Sequence, residues 1–159
     1  MPPEREAPPS ASPGWPYAQT QGGDVSVTQL SVFVQNKRGR IAELLGVLAD
    51  RGISVLGFSL SEVSDYGIVR LLAEDGSAAF GMLETAGFTV VANPVVSVVL
   101  DDRAGSLAEV VILLAAAGVD IDYLYLSAIR TAVIKVDDPA AAESLLTAAG
   151  FVVLTEPGS

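Results

Sequence analysis

Gly39-Arg40-Ile41-Ala42-Glu43-Leu44 returns in the second half of the chain as Gly105-Ser106-Leu107-Ala108-Glu109-Val110. Leu48-Ala49 followed by Gly52-Ile53-Ser54-Val55 returns as Leu114-Ala115 followed by Gly118-Val119-Asp120-Ile121, at the same offset of 66 residues. Further on, Ile68-Val69-Arg70-Leu71 matches Val133-Ile134-Lys135-Val136 with one residue dropped, and Ala86-Gly87-Phe88 matches Ala149-Gly150-Phe151 at an offset of 63. The offset shrinks only where a hairpin and a loop are expected. A match this long and in this order is an internal repeat, and its period decides the fold.

Each repeat reads as strand, helix, strand, strand, helix, strand. In the first, Leu30, Val32 and Val34 alternate with Gln29, Ser31 and Phe33, the pattern of a half-buried strand. Ile41, Leu44, Leu45 and Leu48 then fall on one stripe of a helix that Gly52 stops. Ile53 to Ser61 is the second strand, Asp65-Tyr66-Gly67 a turn, and Ile68 to Ala73 the third strand. Ala79, Met82, Leu83 and Ala86 form a second helical stripe before Gly87, and Phe88 to Val91 closes the unit. The second repeat gives the stripes Leu107, Val110, Val111, Leu114 and Ala142, Leu145, Leu146, Ala149. This α+β, ferredoxin-like βαββαβ pattern buries one sheet face under two helices and leaves the other face open. Gln29, Ser31, Phe33, Val95, Ser97 and Val99 fall on that open face, as do Arg70 and Lys135, which the repeat makes equivalent.

The rest of the chain sets bounds. Six of the nine prolines lie in residues 1–24, which read as a flexible tail; repeat one then covers 25–92 and repeat two 93–159, joined at Ala92 to Pro94. Half of the 159 residues are apolar, ample for a packed core. The formal net charge of −10 opposes binding to nucleic acid. The longest apolar run, Val110 to Ala117, is far short of the ~20 residues of a membrane span, and the N-terminus does not read as a signal peptide, so a cytoplasmic location is the default. The sequence holds no His and no Cys, which excludes a thiolate zinc site, a Cys nucleophile and a His general base. No cofactor is called for.

One place concentrates cations. Asn36-Lys37-Arg38-Gly39-Arg40 holds three of the nine basic residues at the start of the first helix, followed by Ile41. Cations are unfavourable beside the positive end of a helix, and free backbone N–H groups point out of it, so a carboxylate or phosphate is a candidate ligand. The alternative is a turn capped by Asn36 with solvated cations. The equivalent loop, Asp101-Asp102-Arg103-Ala104-Gly105-Ser106, is acidic and suggests a helix cap from Asp102 or Ser106. Asp138 before Pro139 is a helix cap. Tyr123 and Tyr125 share one face of a strand and read first as packing, with Asp120 and Asp122 alternating beside them.

The two repeats resemble ACT domains, small βαββαβ modules that bind amino acids and regulate metabolic enzymes. The resemblance rests on Asn36 to Ile41 with Gly52-Ile53-Ser54-Val55, and on Asp102 to Leu107 with Gly118-Val119-Asp120-Ile121, and it spans about residues 27–155. The sequence departs from the family at Ser54 and Asp120, where an Asn often follows the Gly-Ile or Gly-Val pair. The resemblance implies that the repeats pair side by side through their second strands, giving one eight-stranded antiparallel sheet with the helices on one face. It also implies ligand crevices, each between the first loop of one repeat and the second strand of the other. One crevice would join Asn36, Lys37, Arg38, Gly39, Arg40 and Ile41 to Asp120, Asp122 and Tyr123. The other would set Asp102, Gly105, Ser106 and Leu107, with Asp101, against Ser54 and Leu56. The first suits a zwitterion, with amides and cations for its carboxylate and Asp120 or Asp122 for its ammonium.

The expected function is therefore a non-catalytic sensor that binds a free amino acid and signals to a metabolic enzyme or to its own assembly. A structural or protein-interaction module with vestigial pockets is the alternative. The open sheet face, with Phe33, Val95 and Val99, is expected to be covered by a second copy in a homodimer.

Overall fold

A computed structural model of the chain describes residues 27–155. The N-terminal tail, 1–24, lies outside the described residues. The elements run β1 (Val27–Gln35), α1 (Arg40–Ala49), β2 (Val55–Val63), β3 (Tyr66–Ala73), α2 (Gly76–Thr85), β4 (Thr89–Val99), α3 (Ser106–Ala116), β5 (Tyr123–Leu126), β6 (Thr131–Lys135), α4 (Pro139–Ala148) and β7 (Val153–Leu154). This is the repeated βαββαβ order, with one strand serving both repeats.

Local chemistry explains the punctuation. Gly39 and Gly105 cap α1 and α3 in the left-handed conformation, at φ 89° and 88°, where a side chain would meet the following carbonyl. These two helices have no side-chain cap, so neither Asp102 nor Ser106 caps α3. Ser106 instead accepts a hydrogen bond from the Asp101 N–H through its Oγ, at 3.0 Å. The other two helices are capped by carboxylates: Asp75 accepts from the Ala78 N–H and Asp138 from the Ala141 N–H, both at 3.1 Å.

Two cores follow from the apolar stripes. Leu30 and Val32 of β1, Val69 and Leu71 of β3, Leu44 and Leu48 of α1 and Leu83 of α2 form the first. Val96 and Val98 of β4, Ile134 of β6, Val110 and Leu114 of α3 and Leu146 of α4 form the second. Full burial of each such side chain contributes roughly 1.5–3 kcal/mol. Among the described residues, no helix is long and apolar enough to cross a membrane.

The sheet has seven strands, in the order β2-β3-β1-β4-β6-β5 with β7 on β4, and not the eight expected. The reason lies at Ala92-Asn93-Pro94, which reads as a joint but sits inside β4. Residues 89–95 of β4 pair with β1, and residues 96–99 pair with β6. Alternation continues across the boundary without a slip. Val90 and Ala92 pack on the first core, Val96, Val98 and Leu100 on the second, and Val95 between them points the other way.

That other side carries a third cluster. Val27, Leu72 and Val95 of repeat one pack against Tyr125 and Val133 of repeat two, with Leu56 and Leu154 at the margin. The open faces of the two repeats thus meet each other within one chain. Val95, expected to be covered by a second copy, is buried inside this seam, whereas Phe33 stays 41% exposed. The second strands also meet, but through a single bridge. Gly57 of β2 pairs with Ser127, and the Ala128 N–H donates to the Leu56 carbonyl at 2.7 Å. The bridge falls at Ser127, just beyond the end of β5, whose four residues pair with β6.

Gly57 is the close-approach point. A Cβ there would lie 3.1 Å from the Tyr125 ring and 3.3 Å from Leu72 Cβ. Gly57→Val is expected to lower the unfolding free energy in urea by about 1–3 kcal/mol, the usual effect of overpacking. Gly46, within α1 and with nothing within 4 Å of its virtual Cβ, gives the opposite sign. Gly46→Ala is expected to raise stability by about 0.5–1 kcal/mol in the same titration.

Candidate functional site

The two loops singled out by their charge are each tied to their own repeat. The Asn36 N–H donates to the Asp65 carbonyl at 3.0 Å, and Asn36 Nδ2 donates to Glu62 at 3.2 Å. Arg40 pairs with Glu43 at 2.8 Å and stacks on the Phe88 ring at 4.3 Å, while Ile41 packs on the first core. Lys37 and Arg38 are exposed and, among the described residues, form no ion pair.

The second loop is not the bare acidic surface its sequence suggests. Asp102 pairs with Arg130 at 2.7 Å, and Arg103 lies 3.6 Å from Asp101 and 2.6 Å from Glu109. The hydrogen bond from Arg103 holds the Glu109 carboxyl below the usual carboxylate range. Leu107 packs on the second core and Leu56 on the seam, and Ser54 is exposed, its carbonyl accepting from the Glu74 N–H. Among the described residues, no hydrogen bond or ion pair joins loop 36–41 to segment 119–125, or loop 101–107 to Ser54 and Leu56.

Asp122 and Tyr123 have a different setting. With Lys135 they form the repeat-two wall of a cleft of about 240 Å³, whose other wall is the open face of repeat one: Ser31, Phe33, Ile68, Arg70, Val91 and Asn93. Asp120 is exposed and does not line it. Strand register explains the repeat-one wall. Ser31 on β1 stands between Arg70 on β3 and Val91 on β4, and residues directly opposite share a face. On the other wall, Tyr123 is in register with Lys135.

A hydrogen-bond relay fixes both walls. Gln29 is fully buried. Its Oε1 accepts from the Tyr125 hydroxyl at 3.0 Å, and its Nε2 donates to the Tyr123 hydroxyl at 2.7 Å and to Ser31 at 3.1 Å. Ser31 donates on to Asn93 Oδ1 at 2.9 Å. In the relay Tyr123 and Asn93 serve as acceptors, so the Tyr123 O–H and the Asn93 amide N–H groups remain as donors on two residues that line the cleft. The Arg70 guanidinium stacks 3.9 Å from the centre of the Tyr123 ring and donates to Ser61 at 3.3 Å, while its Nε is buried with no hydrogen-bond partner. Lys135 Nζ lies 3.7 Å from Asp122 and donates to the Val136 carbonyl at 3.0 Å.

In a chain of net charge −10, two of the nine basic residues thus share one cleft with a single carboxylate. Such a site can bind an anion on the Arg70 side and a cation at Asp122. A larger depression of about 620 Å³ between α1 and α2 is mostly helix surface, with Asp50 and Arg51 as its only charged residues, and lacks this convergence of polar groups. Strand parity placed Ser31, Arg70 and Lys135 on open faces, but Asn93 was lost in the apparent joint. That the two faces oppose one another had no sequence signal.

Two ferredoxin-like units fused through one strand, with a charged cleft between their open faces, define a tandem βαββαβ protein. A family model described as an ACT domain pair matches residues 25–151, and the chain belongs to this family. Among solved structures, a protein from Bacteroides thetaiotaomicron is 31% identical, with a TM-score of 0.75 over 82% of this chain and 92% of that one. The regulatory subunit of aspartate kinase from Thermus thermophilus, in its ligand-free form, is 23% identical, with a TM-score of 0.57 over 76% and 88%. The corresponding subunit from Thermus flavus is 24% identical, with a TM-score of 0.55 over 79% and 91%. These two show a shared fold. A search of curated proteins found no match.

Tyr125→Phe tests the relay. Gln29 Oε1 then loses its buried donor, and the expected cost is about 1–3 kcal/mol in urea unfolding. The pH dependence carries its own sign. Burial, aided by the neighbouring Tyr123 and opposed by Arg70, pushes the Tyr125 hydroxyl above its ordinary value of 10.0. The unfolded chain therefore loses this proton first, and the stabilisation, complete below that pH, declines as pH rises through and beyond it. Between about pH 8 and 11 the wild type is expected to lose more stability than Tyr125→Phe, read from the two urea midpoints.

Proposed function

We propose that this protein is a non-catalytic regulatory sensor that binds a free amino acid in the cleft between its two ACT repeats. The observation that carries the reading is Arg70 of repeat one, stacked on Tyr123 of repeat two, in the same cleft as the Asp122–Lys135 pair. A free amino acid is a zwitterion and needs donors for its carboxylate and acceptors for its ammonium. Arg70, the Tyr123 hydroxyl and the Asn93 amide offer the first, and Asp122 offers the second. A charge-assisted hydrogen bond contributes roughly 1.5–3 kcal/mol, so a matched pair of them decides whether the ligand is held. The cleft, about 240 Å³, is below the ~300–1,000 Å³ of sites for drug-sized molecules, which points to a small metabolite.

A ligand in this place touches both repeats and so stabilises the seam between them. In this reading the output is a change in a partner enzyme or in self-association within the cytoplasm. The edge of β2 beyond its bridge at Gly57, with Phe58 36% and Leu60 52% exposed, is the surface we assign to a homodimer. A second reading keeps the ligand at loop 36–41, on the strength of Lys37 and Arg38 lacking ion pairs and of the uncapped first turn of α1.

Thermal shift with each standard amino acid separates these readings. A ligand present at a hundred times its Kd stabilises the folded state by about 2.7 kcal/mol, a clear rise in Tm. The proposal expects at least one free amino acid to raise Tm for the wild type and for Lys37→Ala/Arg38→Ala, and to have no effect on Arg70→Gln or Asp122→Asn. The reverse pattern assigns the ligand to the loop. No response at millimolar concentrations favours a structural module.

A further inference from the structure

We infer that the amino acid taken up by this cleft has an apolar side chain, bound with its charged end inward at Arg70 and Asp122 and its side chain outward on Phe33, Ile68 and Val91. This rests on the amino-acid reading of the cleft and adds its specificity.

The argument comes from the order of rows across the open face of repeat one. Nearest the seam, Val27 faces Val95 across the β1–β4 pair, and both are buried. The next row sets Gln29 against Asn93, and the next sets Arg70, Ser31 and Val91 side by side. The outermost row sets Ile68 and Phe33, which line the cleft, beside Thr89, which does not. Polarity therefore runs from dry seam through a hydrogen-bonding band to an uncharged, mainly apolar outer row. Val91 adjoins Phe33 diagonally and extends the apolar surface.

Repeat two covers the seam but leaves the β4 end of the polar band and the outer row open. Val27, Leu72 and Val95 are at most 1% exposed, whereas Phe33 is 41% and Val91 42% exposed. These side chains form a continuous apolar surface beside a charged site, in position for an apolar group to cover them. The inner charges are already directed. Lys135 is held by Asp122 and the Val136 carbonyl, which leaves Arg70 as the donor with an unsatisfied N–H. An acidic side chain on the outer row would find the nearest cation, Arg70, already taken by the ligand's own carboxylate. A basic one would meet no carboxylate and would sit near Arg70. Either would keep its charge in water and leave the apolar row exposed, whereas an apolar side chain takes both itself and that row out of water.

The test is calorimetry on the full chain with L-leucine, L-phenylalanine, L-alanine, L-aspartate and L-lysine. We expect leucine or phenylalanine to bind at least about tenfold more tightly than the other three, the discrimination an apolar pocket gives for a few carbons. Phe33→Ser and Val91→Ser, each checked for folding by circular dichroism, are expected to erase that preference and leave alanine affinity within about twofold. Tightest binding by aspartate, lysine or alanine overturns the inference, as does a preference that survives both substitutions. Those outcomes leave the amino-acid site standing. Absence of both heat and thermal stabilisation with every amino acid overturns the site itself.

Discussion

The structure depends on β4 being one strand. Its first seven residues hydrogen-bond to β1 and its last four to β6, so the two repeats share a rigid ladder in place of a linker. Neither can turn without breaking backbone hydrogen bonds inside a sheet, where an unpaired N–H or C=O is costly. The unbroken alternation along β4 fixes which side of each repeat faces the other. Once the apolar stripes of α1 and α2, and of α3 and α4, are satisfied on one side, the remaining faces are brought together at the seam.

The seam then needs polar chemistry to be specific. Apolar contacts between Val95, Leu72 and Val133 are non-directional and tolerate sliding. Gln29 does not, because a fully buried amide must find partners for both of its ends. It finds them in Tyr125, Tyr123 and Ser31. Within repeat two, buried Ser97 and Thr131 hydrogen-bond to each other and Thr131 to Ser127, which holds Ser127 at the Gly57 bridge. The same Gln29 relay that registers the repeats also positions Tyr123, and through it the Arg70 guanidinium. The cleft is thus built by the interface and shares its rigidity.

The charged loops illustrate how local composition misleads. Asp101 and Asp102 read as an acidic loop, yet arginines meet both, one of them Arg130 from the distant β5–β6 turn. Arg40 reads as a free cation at a helix end, yet Glu43 and the Phe88 ring engage it. Meanwhile Arg70 and Lys135 stand singly in strand sequences, where parity places each on an open face but nothing shows that they meet. Their concentration in one place is created by two strands from different repeats.

Much of the architecture is legible in the sequence. The offset of 66 residues gave the repeat, period-2 and period-3.6 apolar patterns gave its elements, and paired glycines marked the turns, because these depend on neighbours within one unit. Strand parity also assigned Gln29, Ser31, Phe33, Arg70 and Lys135 to the face away from the helices. What parity cannot give is the partner of that face. Asn93 and Pro94 are poor strand formers and read as a joint, but pairing with β1 holds them in β4. That override removes one strand from the count, turns the open faces toward each other and converts residues about 90 apart, such as Gln29 and Tyr123, into hydrogen-bonded neighbours. Sequence patterns report which side of an element is apolar, since that is set by burial of its own residues. Which two sides meet is set by long-range backbone pairing, and only the tertiary structure decides it.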